Sequence, residues 1–391
     1  MKILLEDTIP FGQDYLDELG QVELYAWQSL KPEMLTNVDI LALRSTTKVT
    51  PSLLKQADAL KFVTTATAGT NHLDKTYLDN TGIAHSSAAG CNAVAVAEYV
   101  LSVLLHSHKA NKISLYDVTV GIVGAGNVGS ALANILTALN VKHVLCDPPL
   151  EISGDGRDFV SLNDIAQCDV VTLHVPYVVD GAFPTEKLID KAFLDGMNEK
   201  QLLINACRGE VIDESALLNR LKQDNAPTVV LDVFDNEPNI NTELFSYVWF
   251  VTPHIAGHSV EGKVRGTQMI YEQICDVVGT KPNKRLSDFL DATAPIAVNL
   301  AFPQQEYLDI SDLITIFHQV YDVEVDDKAM RDAMRAEEAS IQKTIPSIFA
   351  SLRKQYRIRR ECSAYTLHLP TNTSEKIQQT LCGLGFNVEL V

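Results

Sequence analysis

The stretch GIVGAGNVGSAL, residues 121–132, is the feature that most constrains the fold of this chain. Its spaced glycines, Gly124, Gly126 and Gly129, follow the apolar run VTVGIV and precede the helix-like run SALANILTAL. The first glycine permits a tight turn, the second allows a bound group to approach the backbone, and the third allows close packing of helix on strand. This order predicts a parallel sheet with an anion site at the helix N-terminus.

Apolar runs alternate with helix-like segments over the first 280 residues. The runs MKILLED, VELYA, DILALRS and LKFVTTA predict a first parallel sheet, and Thr50 and Pro51 begin the helix TPSLLKQADAL among them. Residues 91–112 predict a long buried helix, and six apolar runs between 118 and 254 predict a second sheet. Because these runs do not alternate with polar residues, both faces of the sheet are expected to be covered. The predicted class is α/β with two doubly wound parallel-sheet domains.

The composition changes at residues 280–295, which predict a linker. The tail beyond it holds the helix-like run SDLITIFHQVYD, a charged stretch over 326–361 and a final strand–helix–strand pattern, which predict a small α+β domain. The expected domains are a substrate domain over 1–95 rejoined by 258–280, a Rossmann domain over 96–257, and a C-terminal domain over 281–391.

Charge and cysteine content limit the partners of this protein. Its 32 Lys and Arg against 50 Asp and Glu give a net charge of −18, which argues against nucleic acid and requires a local positive pocket for any anionic substrate. Seven cysteines without a C-x-x-C motif predict reduced thiols, and MKILLEDTIP lacks the apolar core of a signal peptide. The apolar run 93–105 is shorter than the roughly 20 residues that a bilayer requires. We expect a soluble cytoplasmic protein without a membrane partner.

An acidic residue follows the glycine motif at the expected distance. Asp147 ends the strand-like run VKHVLCD, 23 positions after Gly124. Such a carboxylate accepts hydrogen bonds from the adenine-side ribose and repels a 2′-phosphate, so the predicted cofactor is NAD rather than NADP. Arg157 lies too far beyond Asp147 to suggest a 2′-phosphate ligand. The alternative is a glycine turn that binds nothing.

Three later strand-like runs end in residues suited to acid–base chemistry. INACRG presents Arg208, LDVFDNEP presents Asp232 and Glu237, and VTPHIAG presents His254. Ligands of open α/β sheets bind at the carboxyl ends of the strands. A histidine there can take a hydroxyl proton during hydride transfer, a carboxylate can orient its ring, and an arginine can hold a substrate carboxylate in a bidentate manner.

These residues resemble the D-isomer-specific 2-hydroxyacid dehydrogenases. The matching motifs are N-A-C-R-G at 205–209, D-V-F-D-N-E-P at 232–238 and P-H-I-A-G at 253–257, and the resemblance covers roughly residues 1–280. It implies that Arg208 and Glu237 are catalytic and that His254 carries the proton.

Longer matches, LRSTTKVT (43–50), TATAGTNHLD (65–74) and PHIAGHSVEGKVRGT (253–267) among them, resemble the branch that oxidises 4-phospho-D-erythronate. The resemblance implies the product 3-hydroxy-2-oxo-4-phosphonooxybutanoate, a place on the route to pyridoxal 5′-phosphate, and a cytoplasmic homodimer formed through the tail.

The resemblance also implies two sets of ligand-contacting residues. Ser45, Thr67 and His258 would contact the substrate. The NAD site would comprise Gly124, Gly126, Asn127, Val128, Asp147, Val175, Ala206, Cys207, Arg208, Asp232 and Gly257. Two positions depart from the family pattern, since Val175 replaces a frequent Thr and His258 replaces an expected aromatic hydroxyl residue.

Several alternatives remain open from the sequence. The chain could act on another 2-hydroxy acid such as 3-phosphoglycerate, or sense NAD as the corepressors of this fold do. His254 and His258 share the i, i+4 spacing of a zinc pair, but Pro253 and Gly257 disfavour a helix there and Ile255 occupies the place of the usual Glu. No metal is therefore expected. The basic stretch RKQYRIRR (353–360) predicts a solvated face or an inter-subunit salt-bridge surface rather than an RNA or phosphate site.

Overall fold

Both groups of apolar runs fold into parallel sheets. The computed structural model describes residues 1–338 and 344–391. The strands are β1 (Lys2–Glu6), β2 (Gln21–Tyr25), β3 (Ile40–Leu43), β4 (Phe62–Thr65), β5 (Ala84–Ser87), β6 (Thr119–Val123), β7 (Lys142–Cys146), β8 (Val170–Leu173), β9 (Leu202–Asn205), β10 (Thr228–Leu231), β11 (Phe250–Val251), β12 (Ile296–Ala297), β13 (Thr366–Leu369) and β14 (Asn387–Leu390).

The helices connect these strands. They are α1 (Gly12–Leu16), α2 (Pro51–Leu54), α3 (Lys75–Thr81), α4 (Ala93–Lys109), α5 (Asn127–Ala138), α6 (Pro148–Ile152), α7 (Leu162–Ile165), α8 (Lys191–Gly196), α9 (Glu214–Leu221), α10 (Val260–Val278), α11 (Ile310–Phe317), α12 (Val323–Glu338), α13 (Ile345–Lys354) and α14 (Glu375–Gly383). Short 3-10 helices lie at Trp27–Ser29, Pro32–Leu35, Gly209–Val211, Thr242–Ser246, Leu286–Asp288 and Cys362–Ala364.

The chain forms two compact units. The first comprises residues 1–92 and 259–292, and its parallel sheet has the order β2-β1-β3-β4-β5. All residues of β3 and β4 are buried, as expected for strands covered on both faces. Helix α10 packs on this sheet through residues such as Ile270 and Ile274. It ends at Gly279, which adopts the left-handed conformation with φ 73°.

The second unit comprises residues 93–258 and 293–391. Its six-stranded parallel sheet has the order β11-β10-β9-β8-β6-β7. The strand β7 lies on one side of β6, and the later strands β8 to β11 are added on the other side. The buried helix α4 and the glycine-led helix α5 pack against each other and cover this sheet. The α/β class predicted from the sequence is confirmed.

The C-terminal residues add a three-stranded parallel sheet with the order β12-β13-β14. Helix α12 of this segment protects the edge strand β11, since the backbone N–H of Val251 donates to Asp327 at 2.7 Å. Burial raises the pKa of Asp327, although its bonds with Val251 and Arg331 act in the opposite direction. Arg331 donates in turn to the carbonyl oxygens of Phe245, Val248 and Trp249. This part of the tail thus satisfies the main-chain groups at one edge of the larger sheet.

Some local predictions are wrong. The helix expected over TPSLLKQADAL is limited to α2, although Thr50 caps it and Pro51 begins it as predicted. Strands β5 and β12 were not predicted, because one is polar and the other has two residues. The charged stretch 326–361 includes 339–343, which lie outside the described residues. The division into three domains with its stated bounds stays a prediction, with 281–391 as the third domain.

Two further findings concern the whole described chain. All seven cysteines are free thiols, and only Cys382 is exposed. Among residues 1–338 and 344–391, the structure contains no helix with the length and apolar character needed to cross a membrane.

We predict that Gly129→Ala destabilises the second unit. A Cβ at this position would lie 2.0 Å from the carbonyl oxygen of Gly124, so backbone must move. The expected loss is about 2–3 kcal/mol in the free energy of unfolding, measured by denaturant titration. Gly126→Ala is the matched control, since its Cβ would meet no atom within 4 Å, and it should cost less than about 1 kcal/mol. Equal losses in the two variants would contradict the packing argument.

Candidate active site

Three loops at one edge of the six-stranded sheet carry the predicted catalytic residues. Arg208 follows β9, Glu237 follows β10 and His254 follows β11, and these strands are parallel neighbours. Since the carboxyl ends of parallel strands share one edge of a sheet, the fold brings the three loops together. The structure therefore places all three residues where ligands of such sheets bind.

His254 and Glu237 form a hydrogen-bonded pair. The Nδ1 atom of His254 lies 2.7 Å from Oε2 of Glu237, and the backbone N–H of Phe234 donates to Oε1 of the same carboxylate at 3.1 Å. The His254 side chain is 30% exposed, whereas that of Glu237 is 18% exposed. With a proton assigned to Nδ1, the Nε2 atom of the neutral ring is left as the proton acceptor. The pair therefore has the arrangement of a general base and the carboxylate that orients it.

Asp232 fixes the loop that carries His254. Its Oδ1 accepts hydrogen bonds from Thr252 Oγ1 at 2.6 Å and from the Ile255 N–H at 2.8 Å, and its Oδ2 accepts one from the Ala256 N–H at 2.9 Å. The backbone carbonyl of Asp232 also accepts from the His254 N–H at 2.7 Å. Burial raises the pKa of this carboxyl group, against the opposing effects of His254 and the three hydrogen bonds. Its predicted contact with NAD stays a prediction.

The backbone of His254 has φ 56°, in the left-handed region that a bulky residue rarely adopts. The bonds from Asp232 hold this conformation. His254 and His258 do not share a helix, since α10 begins only at Val260. The shared helical face that a zinc pair at i, i+4 spacing needs is therefore absent from PHIAGHS, and the expectation of no metal stays a prediction.

The loop that presents Arg208 is held by the preceding strand end. The side chain of Asn205 donates to the Arg208 carbonyl at 2.8 Å and accepts from the Cys207 N–H at 3.1 Å. A Cβ on Gly209 would lie 1.9 Å from the carbonyl carbon of Phe234, so this loop touches the loop of Glu237. Burial raises the pKa of the Cys207 thiol to about 11, which keeps it protonated and unsuited to nucleophilic attack. Ala206, beside it, is half-buried.

The glycine loop has the shape of a phosphate cradle. Gly124 has φ 92°, and a Cβ there would lie 2.5 Å from the carbonyl oxygen of His174 and 2.9 Å from Cγ1 of Val175. Gly126 and Asn127 are exposed, and a Cβ on Gly126 would meet no atom within 4 Å. No side chain caps the N-terminus of α5. Its first N–H groups therefore stand ready for an anion. Val128, in the first turn of α5, is half-buried.

Asp147 lies beside this cradle, at the end of β7. Its Oδ2 accepts from the Ala125 N–H at 2.8 Å and its Oδ1 accepts from the Leu150 N–H at 3.1 Å. Each oxygen keeps a second lone pair that a ribose hydroxyl can use. Arg157 donates to the Ser130 hydroxyl on α5 at 2.9 Å, a contact that its distance from Asp147 in the sequence did not predict. Two of its other nitrogens donate to Asp155.

Gly257 and His258 follow the loop that carries His254. Both are half-buried, and the His258 N–H donates to the Ile255 carbonyl at 2.8 Å. The His258 ring lies 5.8 Å from the ring of Tyr356 in the C-terminal tail. The structure places these residues immediately after His254 and leaves their contacts with ligands as predictions.

The predicted substrate residues Ser45 and Thr67 belong to the first unit. They follow β3 and β4, which are neighbours in its sheet. Ser45 is exposed, and Thr67 shares a hydrogen bond of 2.8 Å with Thr65. Buried Glu6 accepts hydrogen bonds from the residues on either side of Ser45, the Arg44 N–H and the Thr46 hydroxyl, and from Thr8 and Thr47; their combined effect outweighs burial and lowers its pKa. The role of Ser45 and Thr67 in substrate binding stays a prediction.

Three residues absent from the predicted set complete the geometry. Thr252 bridges Asp232 and Tyr99, and Arg353 lies 4.0 Å from Oε2 of Glu237. Arg359 is fully buried and donates to the Ala256 carbonyl at 2.9 Å. The expectation of a solvated surface for RKQYRIRR is therefore wrong at Arg359. In the sequence, the only feature that drew attention to Arg359 was the density of basic residues around it.

One group of metal-type ligands occurs elsewhere among the described residues. His106, His318 and Asp322 bring their ligand atoms within 4.8 Å of one another. The two imidazole rings are stacked, with centroids 4.6 Å apart and planes inclined by 21°. An ion in the plane of one ring would stand out of the plane of the other. The structure instead supports a His106–Asp322 hydrogen bond of 2.8 Å.

Comparison with family models places the chain among dehydrogenases. Residues 96–256 match the model described as D-isomer specific 2-hydroxyacid dehydrogenase, NAD binding domain. Residues 300–385 match a model described as a domain of unknown function. The first match covers the six-stranded sheet and the three loops that carry Arg208, Glu237 and His254.

Curated relatives match the chain over its full length. Erythronate-4-phosphate dehydrogenase from Pseudoalteromonas atlantica is 43% identical over 387 residues, which cover 99% of this chain and all of that protein. The enzyme of the same name from Escherichia coli is 41% identical over 388 residues, 99% of this chain and 98% of that protein.

Solved structures share the fold over most of the chain. The NAD⁺-bound 3-phosphoglycerate dehydrogenase of Entamoeba histolytica has a TM-score of 0.59 at 22% identity and covers 73% of this chain and 99% of its own. The D-lactate dehydrogenase of Aquifex aeolicus, complexed with NAD and lactic acid, has a TM-score of 0.53 at 23% identity and covers 71% and 96%.

We predict that Thr252→Val destabilises the protein by about 1–3 kcal/mol. The change keeps the shape but removes a donor to Asp232 and the acceptor of the buried Tyr99 hydroxyl. Thermal or denaturant unfolding measures the loss. Thr315→Val removes an exposed hydroxyl on α11 and is the matched control, with an expected change below about 0.5 kcal/mol. A loss no larger than that of the control would contradict the assigned network.

Proposed function

The chain belongs to the erythronate-4-phosphate dehydrogenases of the D-isomer-specific 2-hydroxyacid dehydrogenase family, and on that premise we propose that it oxidises 4-phospho-D-erythronate at C2 with NAD. The product is 3-hydroxy-2-oxo-4-phosphonooxybutanoate, on the route to pyridoxal 5′-phosphate. The observation that carries the proposal is the 2.7 Å bond between His254 and Glu237, on the strand-end edge that also presents Arg208.

NAD supplies a nicotinamide ring that accepts the hydride when the C2–H bond breaks. His254 takes the proton of the C2 hydroxyl on Nε2, so the electron pair of the O–H bond forms the carbonyl. Glu237 stabilises the imidazolium through Nδ1. Arg208 holds the substrate carboxylate and polarises the C2 oxygen. In the reverse direction the same His254 returns the proton.

The cofactor fits the second unit through the residues already described. The open space at Gly126, the uncapped N-terminus of α5 and the carboxylate of Asp147 suit a pyrophosphate and an unphosphorylated ribose. Val175, Ala206, Cys207, Asp232 and Gly257 would line the nicotinamide side. The proposed substrate contacts are Ser45, Thr67 and His258.

We also infer a cytoplasmic homodimer. Seven free thiols suit a reducing compartment. Several large apolar side chains of the tail are exposed, among them Phe302, Tyr307 and Ile358, which is 83% exposed. Exposed apolar side chains of this kind suit contact with a second copy of the chain, and 281–391 is the proposed dimerisation domain.

A substrate panel tests this function. The purified protein should form NADH with 4-phospho-D-erythronate and should do so far faster than with 3-phosphoglycerate, glycerate or D-lactate. The panel includes 2-oxo acids as acceptors and measures the 2-hydroxy acids formed from them, because NADH that is re-oxidised in the site gives no net NADH signal. Robust turnover of 3-phosphoglycerate beside none of 4-phospho-D-erythronate would contradict the proposal.

Substitution of the two histidines separates their roles. His254→Asn should lower kcat by about 10²–10⁴-fold, because it removes the proton acceptor. His258→Phe should mainly raise KM for the phosphorylated acid, because this residue follows the catalytic loop and has no part in the pair. Steady-state kinetics measure both, and NAD binding to His254→Asn serves as the folding control. Equal, total losses in both variants that added zinc restores would instead revive a metal pair.

A further inference from the structure

Helix α13 of the C-terminal tail packs directly on the loop that carries Glu237. Phe349 is fully buried, and its ring meets that of Phe234 edge-on at 6.1 Å and 84°. Phe234 stands between Asp232 and Glu237, and its N–H donates to the Glu237 carboxylate. The tail is thus in contact with the backbone that positions the catalytic carboxylate.

The next turn of this helix places a cation behind the acid–base pair. Nη1 of Arg353 lies 4.0 Å from Oε2 of Glu237, the same oxygen that is bonded to Nδ1 of His254. This is an ion-pair distance but longer than a hydrogen bond, so Arg353 does not compete with His254 for the carboxylate. Within the described residues, the buried Nε of Arg353 has no hydrogen-bond partner. Its side chain is 39% exposed, and its guanidinium lies 6.0 Å from the ring centroid of Phe349 on the same helix.

Arg359 anchors the residues that follow α13. Its guanidinium donates to the carbonyls of Ala256 at 2.9 Å and Ala95 at 2.6 Å, and it stacks 3.6 Å above the ring of Tyr321. Glu98 lies 3.6 Å from the same fully buried group. Because Ala256 is two residues beyond His254, this anchor ties the tail to the catalytic loop from a second side.

We propose that Arg353 is a positioning residue for the Glu237–His254 pair, held in place by the packing of α13 and by the Arg359 anchor. This inference rests on the proposed function, since it assigns His254 as the base. Arg353 lies on the Nδ1 side of the imidazole, whereas the substrate proton is transferred at Nε2. Its effect on the reaction is therefore exerted through Glu237 and not through contact with the substrate.

The positive charge of Arg353 affects the charges of both Glu237 and His254. A cation near Glu237 favours the ionised carboxylate and opposes a second positive charge on His254. Several other charged groups lie on the elements packed around the pair. They are Arg208, Glu210, Asp232, Glu214, Asp235 and Lys354. Four of these six groups are acidic, and Asp232 interacts favourably with His254, so Arg353 contributes a charge of the opposite sign.

The test is the pH profile of kcat/KM for oxidation of 4-phospho-D-erythronate. In Arg353→Met the acid limb should move to higher pH by about 0.5–1 unit, while the plateau at high pH falls less than about threefold. Arg353→Lys should restore the wild-type limb because it keeps the charge. Lys354→Met removes an exposed cation from the adjacent position of the same helix and is the matched control, with an unchanged limb.

Either of two results in the pH profiles would overturn the inference. One is an Arg353→Met profile that superimposes on the wild type, and the other is an equal shift in Lys354→Met. Failure of both Arg353 variants to fold would also overturn it, because the residue would then be a structural one.

A second readout does not depend on turnover. In protein labelled with ¹⁵N-histidine, the His254 signal, assigned by its absence in His254→Asn, should titrate at higher pH in Arg353→Met than in the wild type. If the wild type fails to oxidise 4-phospho-D-erythronate, the proposed substrate is wrong. An unchanged His254 titration in Arg353→Met would instead show that the assignment of Arg353 is wrong.

Discussion

The candidate site depends on one buried carboxylate. Asp232 accepts hydrogen bonds from Thr252, Ile255 and Ala256, and its carbonyl accepts from the His254 N–H. A charged group in an apolar sheet edge is costly unless its oxygens are satisfied, so the loop after β11 is stabilised only in the shape that supplies these donors. That shape includes the left-handed backbone of His254, which aims its ring at Glu237. The position of the His254 ring is therefore a consequence of satisfying Asp232.

Close backbone approaches connect the other loops to this one. The absence of a side chain on Gly209 lets the Arg208 loop touch the backbone of Phe234, and the same absence on Gly124 lets the cofactor cradle touch the loop after β8. In both places a single methyl group would meet backbone atoms, which cannot move aside as a flexible side chain can. The loops at the carboxyl ends of these strands are therefore in direct contact, so each loop limits the position of its neighbour.

Sequence patterns predicted the elements that are locally encoded. Strands β6–β11 are contiguous apolar runs, and the glycine motif with Asp147 marked the cofactor cradle. The polar β5 and the two-residue β12 carry no such signal. Arg353 and Glu237 are more than a hundred residues apart, and their approach depends on Phe349 meeting Phe234. Nothing in the local pattern of a basic stretch shows which of its members will be buried.

The net charge of −18 raises the question of how such a chain binds a phosphorylated acid and a dinucleotide. Screening limits each charge to a range of about 8 Å at physiological ionic strength, so the groups nearest the ligand decide the local potential. The carboxylates of Asp147, Asp232 and Glu237 are each directed at N–H donors of the protein. The open N-terminus of α5 and Arg208 provide positive potential at the same edge. A local arrangement of a few donors can therefore overcome an unfavourable global charge.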